Sequence, residues 1–103
     1  MTNVEYIKTR LSTAELLTGL AEEAAELAQA ALKHRRALDG TNPTPRKPCE
    51  TILELLGEVA DVVNYLDALG LADPAMLALI QTAAREKRER WAERIAEKEA
   101  AQR

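Results

Sequence analysis

Two stretches of sequence decide the fold: LAEEAAELAQAALK at residues 20–33 and LLGEVADVVNYL at residues 55–66. Both are rich in Ala, Leu and Val, and both repeat apolar residues at intervals of three and four, which is typical of an amphipathic α-helix. The strict alternation of apolar and polar residues that indicates a β-strand occurs nowhere in the chain. We therefore predict an all-α protein in which these two helices turn faces toward each other.

Start and stop signals place four helices along the chain, at about residues 3–11, 12–38, 49–69 and 74–100. Ser12 and Glu15 have the spacing of a capping box, and Gly40 is expected to end the second helix in a left-handed conformation. Residues 39–48, DGTNPTPRKP, are predicted to form a loop because their prolines cannot lie inside a helix. Asp73 and Pro74 mark the start of the last helix.

The composition predicts a single domain, residues 1–103, with a shallow core. The chain has 19 alanines and no Phe, so each helix has little apolar surface to bury. Association compensates for a small core, and we expect a four-helix bundle that assembles as a homodimer or homotetramer. Residues 96–103 are expected to be a C-terminal tail in which the helix can fray.

Net charge, hydropathy and cysteine content argue against a nucleic-acid-binding, membrane-spanning or disulfide-bonded protein. The formal net charge of −3 does not favour a nucleic-acid partner. No apolar run approaches the length of a membrane span, and the N-terminal residues lack the apolar segment of a signal peptide. The single cysteine, Cys49, rules out an intramolecular disulfide. These features predict a cytoplasmic protein that does not bind membranes.

Acidic residues cluster on the two central helices. Glu22, Glu23 and Glu26 lie on the second helix, and Glu58 and Asp61 lie on the third. Spacings of three and four bring these side chains to one face of each helix, beside apolar residues where an uncompensated carboxylate is costly to bury. Two such faces would form a cage of oxygen ligands suited to Mg²⁺. The alternative is that these acids form a solvated stripe on the protein surface. For Glu22, this alternative and a functional role are equally favoured.

The pattern Glu23-Ala-Ala-Glu26 followed by Glu58-Val-Ala-Asp61 resembles the signature of the MazG-type all-α nucleoside triphosphate pyrophosphohydrolases. The resemblance is greatest to the short, single-domain members found in phages and prophages, and it extends over about residues 12–95. The 31 residues that separate Glu26 from Glu58 are a long interval for this family, and the proline-rich loop accounts for the excess.

The resemblance implies an enzyme, a hydrolase that cleaves a (d)NTP to the (d)NMP and pyrophosphate. It implies Mg²⁺ as the cofactor, with Mn²⁺ as a substitute. The metal ligands that it implies are Glu23, Glu26, Glu58 and Asp61. Glu22 and Glu23 are the implied catalytic residues, with Glu22 either a further ligand or the group that activates water. The candidates for substrate binding are Lys33, Tyr65, Lys87 and Arg90.

Two functional classes remain open at the level of sequence. The first is this hydrolase, and the second is a catalytically inactive helical module that binds nucleotides or other proteins. A di-iron carboxylate bundle would need Glu-x-x-His pairs, which the single histidine, His34, cannot supply. The sequence leaves open the base, the sugar and the biological role, whether cleansing of nucleotide pools, phage metabolism or alarmone control.

Overall fold

The computed structural model describes residues 1–103 and contains four α-helices as its only regular secondary structure. The helices are α1 (Asn3–Arg10), α2 (Thr13–Asp39), α3 (Pro48–Ala68) and α4 (Pro74–Ala101). The prediction of an all-α protein is confirmed. No helix combines the length and the hydropathy that a membrane span requires.

The chain divides into two compact units, Met1–Gly70 and Leu71–Arg103. The first unit contains α1, α2 and α3, and within it α3 packs against both α1 and α2. The second unit contains α4. All the acidic residues singled out in the sequence lie in the first unit, so the geometry of the candidate site is set by α2 and α3.

Both ends of α2 are formed as the sequence predicts. The Ser12 hydroxyl accepts a hydrogen bond from the backbone N–H of Glu15 at 3.1 Å, and the Glu15 carboxylate accepts one from the backbone N–H of Ser12. Gly40 ends the helix with a φ of 75°, a conformation that costs a glycine little. Thr2 and Glu5 form the same capping arrangement at the start of α1.

The start of α3 differs slightly from the prediction, because Pro48 is the first residue of the helix rather than the last residue of the loop. Proline suits this position, since its fixed φ is helical and its missing N–H would have no partner there. At the start of α4, Asp73 occupies the N-cap position, but its side chain makes no capping hydrogen bond. Helix α4 includes residues 96–101, within the stretch for which fraying was expected.

The first unit has the shallow core that the alanine content predicts. Its only buried apolar side chains are Leu16, Ala30 and Ala68. Thr51 is 0 % exposed, and its hydroxyl lies 2.9 Å from Nδ1 of His34, which joins α3 to α2. Large apolar residues remain at the surface, among them Leu53, which is 68 % exposed. A surface of this kind is normally covered by a partner.

Candidate functional site

Three carboxylates from two helices converge on the interface between α2 and α3. One oxygen from each of Glu23, Glu26 and Glu58 lies within 4.8 Å of the corresponding oxygens of the other two. Glu23 and Glu26 are three residues apart and so share a face of α2. The packing of α2 against α3 brings Glu58 to the same place.

Two of these carboxylates have an oxygen that is buried without a hydrogen-bond partner. These atoms are Oε2 of Glu23 and Oε2 of Glu58, and both residues are half-buried. A buried polar oxygen normally has a donor, because leaving it without one costs about 1–3 kcal/mol in general. Two carboxylates of the converging group therefore each have an oxygen that a cation or a hydrogen-bond donor could satisfy.

The electrostatics of the cluster favour protonation in the absence of such a group. Burial raises the pKa of the Glu23 carboxyl, and the negative charges of Glu26 and Asp61 raise it further. The pKa of Glu58 is raised by the same causes, with burial again the largest. Repulsion between the carboxylates contributes to both shifts, and a bound cation would relieve it.

Asp61 and Glu22 lie outside this tight group of three. Asp61 is exposed, yet its charge contributes to the raised pKa values of both Glu23 and Glu58, so it lies at the edge of the cluster. Glu22 is exposed and belongs to the next face of α2. The structure thus places three of the four predicted ligands together, with the fourth beside them.

A cleft of about 300 Å³ extends from the carboxylates along α2 and α3. Its lining residues are Glu26, Gln29, Ala30, Lys33, Glu54 and Glu58. Lys33 is the one cationic residue among them, so it shares a cleft with two of the predicted metal ligands. Gln29 was missed by the sequence reasoning, although its position three residues after Glu26 puts it on the same helix face.

The proline-rich loop is anchored beside this cleft by Arg46, which the sequence analysis did not single out. The Arg46 guanidinium forms ion pairs with Glu50, at 3.5 Å, and with Glu54. These two carboxylates raise the pKa of Arg46. Glu54 is thereby compensated, which distinguishes it from Glu23 and Glu58. No sequence signal could have paired Arg46 with Glu54, because the loop conformation decides that contact.

Tyr65 lies against the backbone of α2 at Gly19. A methyl group built on Gly19 would lie 2.2 Å from Cε1 of Tyr65, so the absence of a side chain at Gly19 makes room for the ring. Tyr65 also lines an apolar cavity of about 230 Å³, together with Asn64 and residues of α1 and α2. The structure gives Tyr65 a packing role, and its role in substrate binding stays a prediction.

The remaining predicted substrate ligands, Lys87 and Arg90, lie in the second unit on α4. Lys87 borders a surface depression with Arg88, Trp91 and Arg94, and Trp91 is 63 % exposed. This part of α4 therefore presents cations around an exposed indole ring. Whether Lys87 or Arg90 contacts a substrate stays a prediction.

Comparison of this chain with protein-family models, with curated protein sequences and with solved structures finds no match. The site itself is therefore what indicates a function. Three converging carboxylates, two of them with unpartnered buried oxygens, can hold a hard divalent cation, and the adjoining cleft has one lysine positioned for an anionic ligand.

Proposed function

We propose that this protein is a Mg²⁺-dependent pyrophosphohydrolase that cleaves a (d)NTP to the (d)NMP and pyrophosphate. The observation that carries the proposal is the convergence of Glu23, Glu26 and Glu58 to within 4.8 Å between α2 and α3. The resemblance of the Glu23–Glu26 and Glu58–Asp61 pairs to the MazG-type signature supports the same reaction. The proposed fold is a MazG-like helical bundle.

The residues at the cluster fit a divalent metal. All the donors are carboxylate oxygens, which Mg²⁺ and Mn²⁺ prefer, and Oε2 of Glu23 and Oε2 of Glu58 lack any other partner. Asp61 at the edge of the cluster would complete the ligand set. A bound Mg²⁺ lowers the pKa of a coordinated water and neutralises phosphate charge. Without a cation, the same carboxylates would repel a triphosphate.

The other residues of the site have roles that follow from their positions. Lys33 lines the cleft beside Glu26 and Glu58, where its ammonium group would attract the phosphate chain. Glu22 is exposed next to Glu23, so it is free to accept a proton from the attacking water or to act as a further ligand. Gln29 lies in the same cleft and offers a neutral amide to the substrate.

Assembly is part of the proposal, as a homodimer or homotetramer. The first unit buries few apolar side chains and leaves large ones such as Leu17, Leu53 and Leu56 exposed. These side chains would be covered by a second copy of the chain. Lys87 and Arg90 of α4 would supply cations to the acidic site of a neighbouring copy.

An activity assay on Asp61→Asn tests the proposal. Wild-type protein incubated with each NTP and dNTP and Mg²⁺ should release pyrophosphate, and orthophosphate as the first product would contradict attack at the α-phosphate. The variant removes one ligand charge with almost no change of shape. Mutation of residues that only hydrogen-bond to metal ligands typically lowers activity by about 10–100-fold. Loss of a ligand itself should therefore reduce turnover by about 100-fold or more.

Asp67→Asn is the matched control for this assay. It makes the same chemical change on the same helix, at a residue outside the acidic cluster, and it should retain the wild-type rate. Circular dichroism should show unchanged helix content in both variants. Substantial Mg²⁺-dependent turnover by Asp61→Asn would remove Asp61 from the ligand set.

A non-catalytic helical module that binds nucleotides or proteins is the second candidate. The exposed apolar residues of both units favour it, because such surfaces serve binding as well as assembly. The same assay separates the two candidates. A wild-type protein that binds nucleotides in the presence of Mg²⁺ but releases no pyrophosphate from any of them would support the module.

A further inference from the structure

A second pocket lies near the C-terminal end of α2, where residues of the proline-rich loop and of the last turns of the helix line it together. Its volume is about 140 Å³. Its lining residues are Arg36, Ala37, Gly40, Asn42, Pro45 and Arg46. One arginine from the helix and one from the loop therefore line the pocket, and no acidic residue lines it.

The Arg36 side chain has a buried donor without an acceptor. Its Nε is buried and has no hydrogen-bond partner, and its side chain forms no ion pair. The preceding residue, Arg35, differs in both respects, since its side chain is 77 % exposed and its Nε lies 3.7 Å from Asp39. Buried donors are normally paired, so the environment of Arg36 is incomplete without an acceptor.

Two ion pairs hold the Arg46 side chain in place and leave some of its N–H donors unpaired. Its Nε pairs with Glu50 and its Nη2 pairs with Glu54, which leaves the donors of Nη1 for another acceptor. The two ion pairs fix the guanidinium plane before any ligand arrives, so little side-chain entropy is lost on binding. Arg46 is thus a preorganised donor at the pocket that Arg36 also lines.

We propose that this pocket binds a phosphate group through Arg36 and Arg46. Guanidinium groups match the geometry of phosphate oxygens, and two of them from different elements give charge-assisted hydrogen bonds. A volume of about 140 Å³ accommodates one phosphate group, whereas whole drug-sized ligands occupy pockets of roughly 300 Å³ or more. The group belongs either to a free inorganic phosphate or to the exposed phosphate of a nucleotide.

Phosphate binding in this pocket does not depend on the proposed metal-dependent activity. Arg46 does connect the two places, because its partner Glu54 lines the cleft that contains Glu26 and Glu58. Binding in the pocket, however, needs only the loop and the end of α2. In the presence of a chelator, the acidic cluster repels phosphate, so any phosphate binding must occur elsewhere.

Isothermal titration calorimetry with EDTA present tests the pocket. Orthophosphate, pyrophosphate and a nucleoside monophosphate are titrated separately into the full chain. Saturable binding of orthophosphate or pyrophosphate identifies the inorganic ion as the source, and binding of the monophosphate alone identifies the nucleotide. Arg36→Gln should weaken the binding by tenfold or more, on the scale of one charge-assisted contact. Its neighbour Arg35→Gln makes the same charge change and should leave the affinity unchanged.

A second variant covers the case in which Arg36→Gln does not fold. Ala37→Leu fills the pocket, keeps both arginines and places a strong helix former in α2. It should abolish binding while circular dichroism shows a wild-type helix content. If Arg35→Gln and Arg36→Gln weaken phosphate binding equally, the binding depends only on general surface charge, and the proposal is overturned. Unimpaired binding by Ala37→Leu, or no saturable binding by wild-type protein, would overturn it as well.

Discussion

Replacing Gly19 by alanine tests the close contact between α2 and α3. The added methyl carbon would lie 2.2 Å from Cε1 of Tyr65, and 2.5 and 2.6 Å from Cζ and the hydroxyl oxygen. Carbon atoms normally approach to about 3.5–4.0 Å, so the Tyr65 ring must leave its position. The contact is one helical turn from Glu23 along α2 and one turn from Asp61 along α3, so a displaced ring also disturbs the acidic cluster.

Two opposing effects set the change in the free energy of unfolding caused by Gly19→Ala. Alanine is favoured over glycine in a helix by about 1 kcal/mol. Overpacking of a tight contact costs about 1–3 kcal/mol. We expect Gly19→Ala to lower the free energy of unfolding by about 1 kcal/mol, the difference between the central values.

Gly57→Ala is the matched control, because Gly57 is also inside a helix and a methyl group there would meet no atom within 4 Å. It should raise the free energy of unfolding by about 1 kcal/mol, so the two variants should differ by about 2 kcal/mol. Urea denaturation at a fixed protein concentration measures both values. In a Tyr65→Leu background, the penalty of Gly19→Ala should disappear. If Gly19→Ala stabilises the protein as much as Gly57→Ala does, the Gly19–Tyr65 contact is not formed.

Four further predictions concern the acidic site, the core and the assembly. In EDTA at neutral pH, Glu58→Gln should have a higher melting temperature than wild type, because wild type loses stability as the pH rises through the raised pKa of Glu58. This difference in melting temperature should vanish below the ordinary glutamate pKa of about 4.3. Mg²⁺ should raise the melting temperature of wild type more than that of Glu58→Gln, and an equal rise would place the metal elsewhere. Thr51→Val removes the buried hydroxyl that meets His34 and should lower the free energy of unfolding in urea by about 1–2 kcal/mol, an effect that should shrink in a His34→Ala background. Static light scattering at micromolar protein should show a dimer or tetramer, and a stable, active monomer would refute the proposed assembly.

The sequence determined the helices because their signals are local. The capping box of Ser12 and Glu15, the left-handed Gly40 and the prolines between residues 43 and 48 act within a few residues of where they stand. Helical spacing likewise put Glu23 and Glu26 on one face of α2 without any knowledge of the rest of the chain. The errors at the helix boundaries were of one residue each, such as the inclusion of Pro48 in α3.

Tertiary structure alone decided which of these faces meet and what surrounds them. The burial of one oxygen on Glu23 and one on Glu58 depends on how closely α2 and α3 pack, a distance that no helical period contains. Arg46 reaches Glu54 only because the loop folds back onto α3, which gives Glu54 a partner and leaves Glu58 without one. Two carboxylates four residues apart on one helix thus differ in environment, since contacts between distant residues set the charge and solvation that each experiences.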